Sequence, residues 1–79
     1  MRDELTKREK QILLLAACGL TAKESAERLG VSDRTVSTHF MHIFEKLNVT
    51  KRAQAVVRAL ELGIISLEEI EQCRKGEYE

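Results

Sequence analysis

The sequence predicts an all-α fold: four packed helices, then a short fifth helix and an acidic C-terminal tail that frays. Three observations predict it. Proline is absent, glycine occurs 4 times and 33% of the residues are charged, a composition that suits helix better than sheet. The stretches "TKRE", "TAKE" and "SLEE" each have the form of a capping box, a hydroxyl residue answered three positions later by glutamate. Glycine or asparagine stands where each apolar periodicity stops. No segment alternates apolar and polar residues as a half-buried strand does. At 79 residues the chain is one small domain whose core is marginal, so well-capped helices matter.

The first helix opens at Thr6, whose hydroxyl is placed to accept from the Glu9 amide while the Glu9 carboxylate reaches back. It is expected to end near Cys18, with Gly19 in the left-handed conformation. Glu9, Ile12, Leu13 and Ala16 share its inner side, flanked by Leu5 and Leu20, and Leu14 is expected to point outward. Thr21 and Glu24 open the second helix, which Gly30 closes. Ser32 caps a third, from about Asp33 to Leu47, ended by Asn48. Val36, Phe40, Ile43 and Leu47 recur on it at the spacing of one buried helical face. Thr50 or Lys51 opens a fourth helix, stopped by Gly63, with Ala53, Val56, Ala59 and Leu60 facing inward. Arg52 points partly inward there and requires a carboxylate, for which Glu9 is the candidate. Ser66 and Glu69 start the short fifth helix, and "RKGEYE" frays. Residues 1–65 thus form the main domain and residues 66–79 a short helix and tail.

The formal charge is zero but unevenly spread. Met1–Leu60 holds 11 lysines and arginines against 7 acidic residues, a balance of +4; Glu61–Glu79 holds 2 against 6, a balance of −4. Attraction for phosphate follows the local patch rather than the total, so the body can still meet a polyanion. No apolar run approaches the roughly 20 residues that span a bilayer, and "MRDELTKREK" is no signal peptide, so a cytoplasmic chain that meets no membrane is expected. Cys18 and Cys73 are then expected to be ordinary thiols. His39 and His42 lie three apart on one helix, but no further ligand completes a metal set, and His39, beside the core stripe, is expected to make a structural hydrogen bond. No nucleophile has a partnered base and no phosphate loop is present, so neither a catalytic residue nor a cofactor is expected.

The second and third helices carry the functional pattern. Ala26 sits four residues before Gly30 and Val36 six after it. The small residue lets the third helix cross close over the second, and Gly30 permits a very short turn. This is helix-turn-helix patterning. At about 100° per residue, the side of the third helix opposite its apolar stripe carries Arg34, Thr38, Met41 and Glu45, with Ser37 and His42 on the flanks. Small side chains there let a helix sit deep in the major groove. Ser37 and Thr38 can exchange hydrogen bonds with base edges, and Met41 can pack on a thymine methyl. Thr35, in the first turn, suits a phosphate. Lys23 and Lys46 are placed as phosphate clamps, and Glu45 must clear the groove. On the fourth helix Gln54, Val57, Arg58 and Glu61 form an outer face on which a weak two-fold dimer can form, with Arg58 set against Glu61 of the second copy.

Four stretches together resemble the DNA-binding domain of the LuxR/FixJ (NarL-, GerE-like) transcription regulators: "LTKRE" at 5–9, "CGLTAKESAERLGVSDRTVSTH" at 18–39, "IFEKLNV" at 43–49 and "RAQAVVRALELGII" at 52–65. The resemblance implies a four-helix (tetrahelical) helix-turn-helix domain that enters the major groove of double-stranded DNA with its third helix and often pairs through its fourth. It implies phosphate contacts at Lys23, Thr35, Lys46 and the Thr50–Lys51 turn, and base contacts at Ser37, Thr38 and Met41. RNA polymerase is a further partner it implies. Three positions depart from the family's pattern. Ser25 stands where isoleucine is usual and is expected to face the core. Ser37 replaces a frequent lysine, which lowers the expected affinity and its salt dependence. Lys51 replaces a small polar cap, leaving Thr50 as the alternative cap. Two other readings stay open on the residues: region four of a sigma factor, against which the fourth helix argues, and a protein-binding module that uses the fold without DNA.

Overall fold

A computed structural model of the chain describes residues 5–74. They form α1 (Lys7–Ala17), α2 (Ala22–Leu29), α3 (Asp33–Leu47), α4 (Arg52–Glu61) and α5 (Leu67–Arg74), with no strand among the described residues. The expected frayed tail lies, apart from Arg74 at the end of α5, outside the described residues.

The three capping boxes form as the sequence predicts. The Glu9 and Glu24 amides donate to the Thr6 and Thr21 hydroxyls at 3.1 Å, and the two carboxylates accept the cap amides at 2.9 and 2.8 Å. Ser66 and Glu69 repeat the exchange at 3.0 and 3.1 Å. The helix ends share one closure as well. The amides of Leu20, Val31, Val49 and Ile64 each reach back to the carbonyl five residues earlier, at 3.1, 3.0, 3.0 and 2.8 Å. That closure needs a left-handed residue just before each amide. Gly30 (φ 72°) supplies it between α2 and α3, and Asn48 (φ 58°) after α3.

The α4 cap differs from both sequence alternatives. Neither the Thr50 nor the Lys51 side chain caps the helix. Instead the Gln54 amide oxygen accepts from the Thr50 amide (3.0 Å), the Thr50 hydroxyl (3.2 Å) and the Lys51 amide (3.2 Å). A lysine at the cap has only donors, so the acceptor must come from within the helix.

Helices α1 and α3 share the centre of the packing: α3 contacts α1, α2 and α4, and α1 contacts all four other helices. Ile12, Leu13, Ala26, Val36, Phe40, Ile43, Leu47, Ala55, Ala59 and Ile65 fill the core between them. Ser25 is buried as expected. Two expectations about faces fail. Leu14 is 2% exposed rather than outward, because α5 folds back on α1 and covers its second side. On α4 Val56, Ala59 and Leu60 face inward as expected, but Ala53 is exposed and Ala55 is buried in its place.

The cysteines are a further correction. Expected as separate ordinary thiols, Cys18 and Cys73 form a disulfide, with Cα atoms 6.0 Å apart. The same docking of α5 that buries Leu14 brings them together across 55 residues of sequence. Among the described residues, no helix is long and apolar enough to cross a membrane.

Candidate nucleic-acid interface

The turn from α2 to α3 takes three residues, Gly30 to Ser32. The Ser32 hydroxyl accepts from the Thr35 amide at 3.1 Å and shares a 2.9 Å hydrogen bond with the Thr35 hydroxyl. This fixes the first turn of α3 before any ligand arrives. With Val36, Phe40, Ile43 and Leu47 buried, Arg34, Ser37, Thr38 and Met41 are exposed together on the opposite side. Met41 is 61% exposed, a large apolar side chain held in water beside two hydroxyls. Glu45 is exposed about one turn further along.

The five residues expected at phosphates are not equivalent. Lys23 and Lys51 are exposed and have no ion pair among the described residues. Thr35 is half-buried with its hydroxyl on Ser32, and the Thr50 hydroxyl is spent on Gln54. Lys46 is committed to the fold: its Nζ lies 2.7 Å from Oε1 of the buried Glu9. His42 Nδ1 stands 3.9 Å from the other Glu9 oxygen.

Glu9 is the electrostatic anchor of this region. Burial pushes its carboxyl up, but the hydrogen bonds from Lys46 and the Thr6 amide, with the charges of Lys46 and His42, outweigh it and hold it below its ordinary value. The expected Glu9–Arg52 pair does not form. The Arg52 guanidinium instead lies over the Phe40 ring, 4.5 Å from its centroid. Lysine and arginine both suit a carboxylate, and only the angle between α1, α3 and α4 decides which reaches it. The hydrogen bond expected of His39 is missing too: its Nδ1 is buried without a partner among the described residues, on a stretch of α3 flanked by Val36, Phe40 and Ile43.

The outer face of α4 carries Gln54, Val57, Arg58 and Glu61, all exposed, with Val57 at 54%. Gln54 is already the cap of its own helix, and Arg58 Nη1 lies 3.9 Å from Glu61 Oε1 within the same chain.

The family model described as "Bacterial regulatory proteins, luxR family" (GerE) matches residues 3–59. The chain belongs to the luxR family. It is a DNA-binding helix-turn-helix domain of that family of transcription regulators. The spore germination protein GerE of Bacillus subtilis (strain 168) is 41% identical over 63 residues, covering 80% of this chain and 85% of its own. The solved structure of transcription factor GerE matches the luxR-family domain with a TM-score of 0.76 at 36% identity, over 80% of this chain and 94% of that one. The response regulator ChrA of a heme-sensing two-component system matches with a TM-score of 0.79 at 37% identity, over 82% of this chain and 32% of that one. The chain spans only 26%, 30% and 27% of three longer relatives, AnoR of Acinetobacter nosocomialis and YxjL and LiaR of Bacillus subtilis.

Proposed function

We propose that the domain reads the major groove of a specific duplex site with the exposed face of α3. Ser37, Thr38, Met41 and Arg34 meet base edges. Lys23, Thr35, Lys46, Thr50 and Lys51 meet phosphates. The observation that carries the reading is the pairing of a fully buried stripe (Val36, Phe40, Ile43, Leu47) with an opposite face of two hydroxyls and an exposed methionine. A helix anchored on one side and lined by short side chains on the other can enter a groove about 12 Å wide.

Within the phosphate set, Lys23 and Lys51 supply most of the attraction, because the Lys46 charge is balanced by Glu9. Lys46 has further N–H donors for a phosphate but contributes little net charge. The Ser32–Thr35 pair and the amides of the first turn of α3 offer donors to a phosphate at the groove edge.

On DNA two copies pair weakly through α4, with Val57 at the centre of the contact. An inverted repeat is the operator such a pair requires. We infer that the protein acts in the cytoplasm as a regulator rather than an enzyme. RNA polymerase is its further partner at the promoter; AnoR, 43% identical over 61 residues, is named a transcriptional activator.

Selection of bound sites from random duplexes tests the reading, and an enriched inverted repeat is expected. Against the selected site, Thr38→Ala changes the base preference. Lys23→Ala weakens all sequences alike and flattens the salt dependence by about 0.9 in log–log slope. No enrichment, or affinity indifferent to salt, refutes the reading.

A further inference from the structure

We propose that Cys18 and Cys73 form a reversible thiol–disulfide site that fastens α5 to the end of α1. The docking of α5 against the end of α1 places the two cysteines for it. The Cα separation of 6.0 Å lies inside the range of about 4.4–6.8 Å that a disulfide spans without backbone movement. The Cys18 Sγ also lies 3.7 Å from the Ile70 carbonyl, so the α5 backbone is docked against this cysteine through more than the sulfur–sulfur contact.

The two cysteines differ in access. Cys18 is half-buried, at the point where α1 gives way to the turn into α2, while Cys73 is 7% exposed. A small-molecule disulfide such as oxidised glutathione therefore meets Cys18 first. The Cys18 thiol gives its proton to solvent and its sulfur attacks the reagent. The reagent's S–S bond breaks, one small thiol leaves, and a mixed disulfide remains on Cys18. The Cys73 thiol then loses its proton and attacks the Cys18 sulfur, expelling the second small thiol. Two protein thiols are oxidised by two electrons and one small disulfide is reduced to two thiols.

Apart from the link, α5 rests among the described residues on its packing against α1 and one exposed ion pair. It has 8 residues, too few for a stable helix on its own. Its packing on α1 includes Ile70 at the edge of the core, and the Lys10–Glu69 ion pair, at 3.8 Å with both side chains well exposed, adds little. Opening the disulfide therefore loosens α5 and uncovers Leu14, now 2% exposed. Oxidation state thus decides whether the second side of α1 is covered. This site is distinct from the α3 face and does not depend on the DNA-binding reading.

The test uses the full 79-residue chain equilibrated in glutathione buffers of graded potential. Thiols are then trapped, peptides mapped, and amide exchange followed across α5. Oxidising buffer is expected to give a monomer with no trapped thiol and a Cys18–Cys73 peptide link, returning to two trapped thiols in reducing buffer. The α5 amides are expected to exchange about tenfold faster when reduced. Cys73→Ser is expected to abolish that difference while α1–α3 protection persists, which shows that the variant still folds. Stable mixed disulfides or intermolecular dimers in place of the link overturn the proposal. So does α5 exchange that is the same in both buffers.

Discussion

Replacing Lys46 by methionine removes the cation beside a buried carboxylate while keeping most of the side-chain volume. The Glu9 side chain is 5% exposed and that of Lys46 29%, with 2.7 Å between Nζ and Oε1. Removing one partner of a fully buried pair costs about 3–5 kcal/mol. Here water reaches Lys46, the Thr6 amide still donates at 2.9 Å and His42 remains 3.9 Å away. The expected loss is therefore nearer about 2 kcal/mol at neutral pH, lowering the melting temperature by about 10 °C. The pH dependence separates charge from packing. In the parent protein the folded-state value of Glu9 lies below its ordinary 4.5, so its contribution is present above that value and fades as pH falls through the folded value. In the variant burial is left to dominate, and the folded value rises above the unfolded one. The penalty is then full at neutral pH and disappears as pH falls below both. Urea unfolding of both proteins at pH about 7 and about 3 measures this, with the difference expected to shrink below about 0.5 kcal/mol in acid. An equal loss at both pH values would refute the electrostatic account and assign the effect to packing.

Gly30→Ala is expected to cost about 1 kcal/mol in thermal unfolding. A Cβ there meets no atom within 4 Å, so the cost comes from φ 72° alone; a much larger loss contradicts this. Leu14→Ala is expected to cost about 2–3 kcal/mol, while Leu67→Ala, at a side chain 73% exposed, stays within about 0.5 kcal/mol. Equal losses in urea unfolding mean that α5 does not cover Leu14 in solution. Val57→Glu is expected to leave the free domain unchanged in sedimentation but to prevent two copies from binding one inverted repeat; an unaltered two-copy complex places the contact elsewhere.

The parts of the fold set by near neighbours were legible in the sequence. The Thr6–Glu9, Thr21–Glu24 and Ser66–Glu69 boxes each need only four consecutive residues, and the Gly30 and Asn48 closures only six. The α3 stripe was legible for the same reason, and with it the opposite face that forms the candidate site. What escaped depends on how the helices sit against one another. Leu14 looks outward on α1 until α5 is known to return over it, and the same return joins Cys18 to Cys73. The sequence marks Glu9 as a buried carboxylate in want of a cation, but Lys46 and Arg52 stand in competition for it and the crossing of α1 and α3 decides. The Gln54 cap had a local signal: a lysine at the cap position with glutamine three residues on is half of a capping box, with the acceptor at the far end.

The most direct test of the α3 interface is amide chemical-shift mapping of the domain with a selected duplex. The account predicts that the largest changes fall on Arg34, Ser37, Thr38 and Met41, with Lys23 and Lys51 next, while α5 stays unperturbed. Changes confined to α1 and α5, with Ser37, Thr38 and Met41 silent, would contradict it.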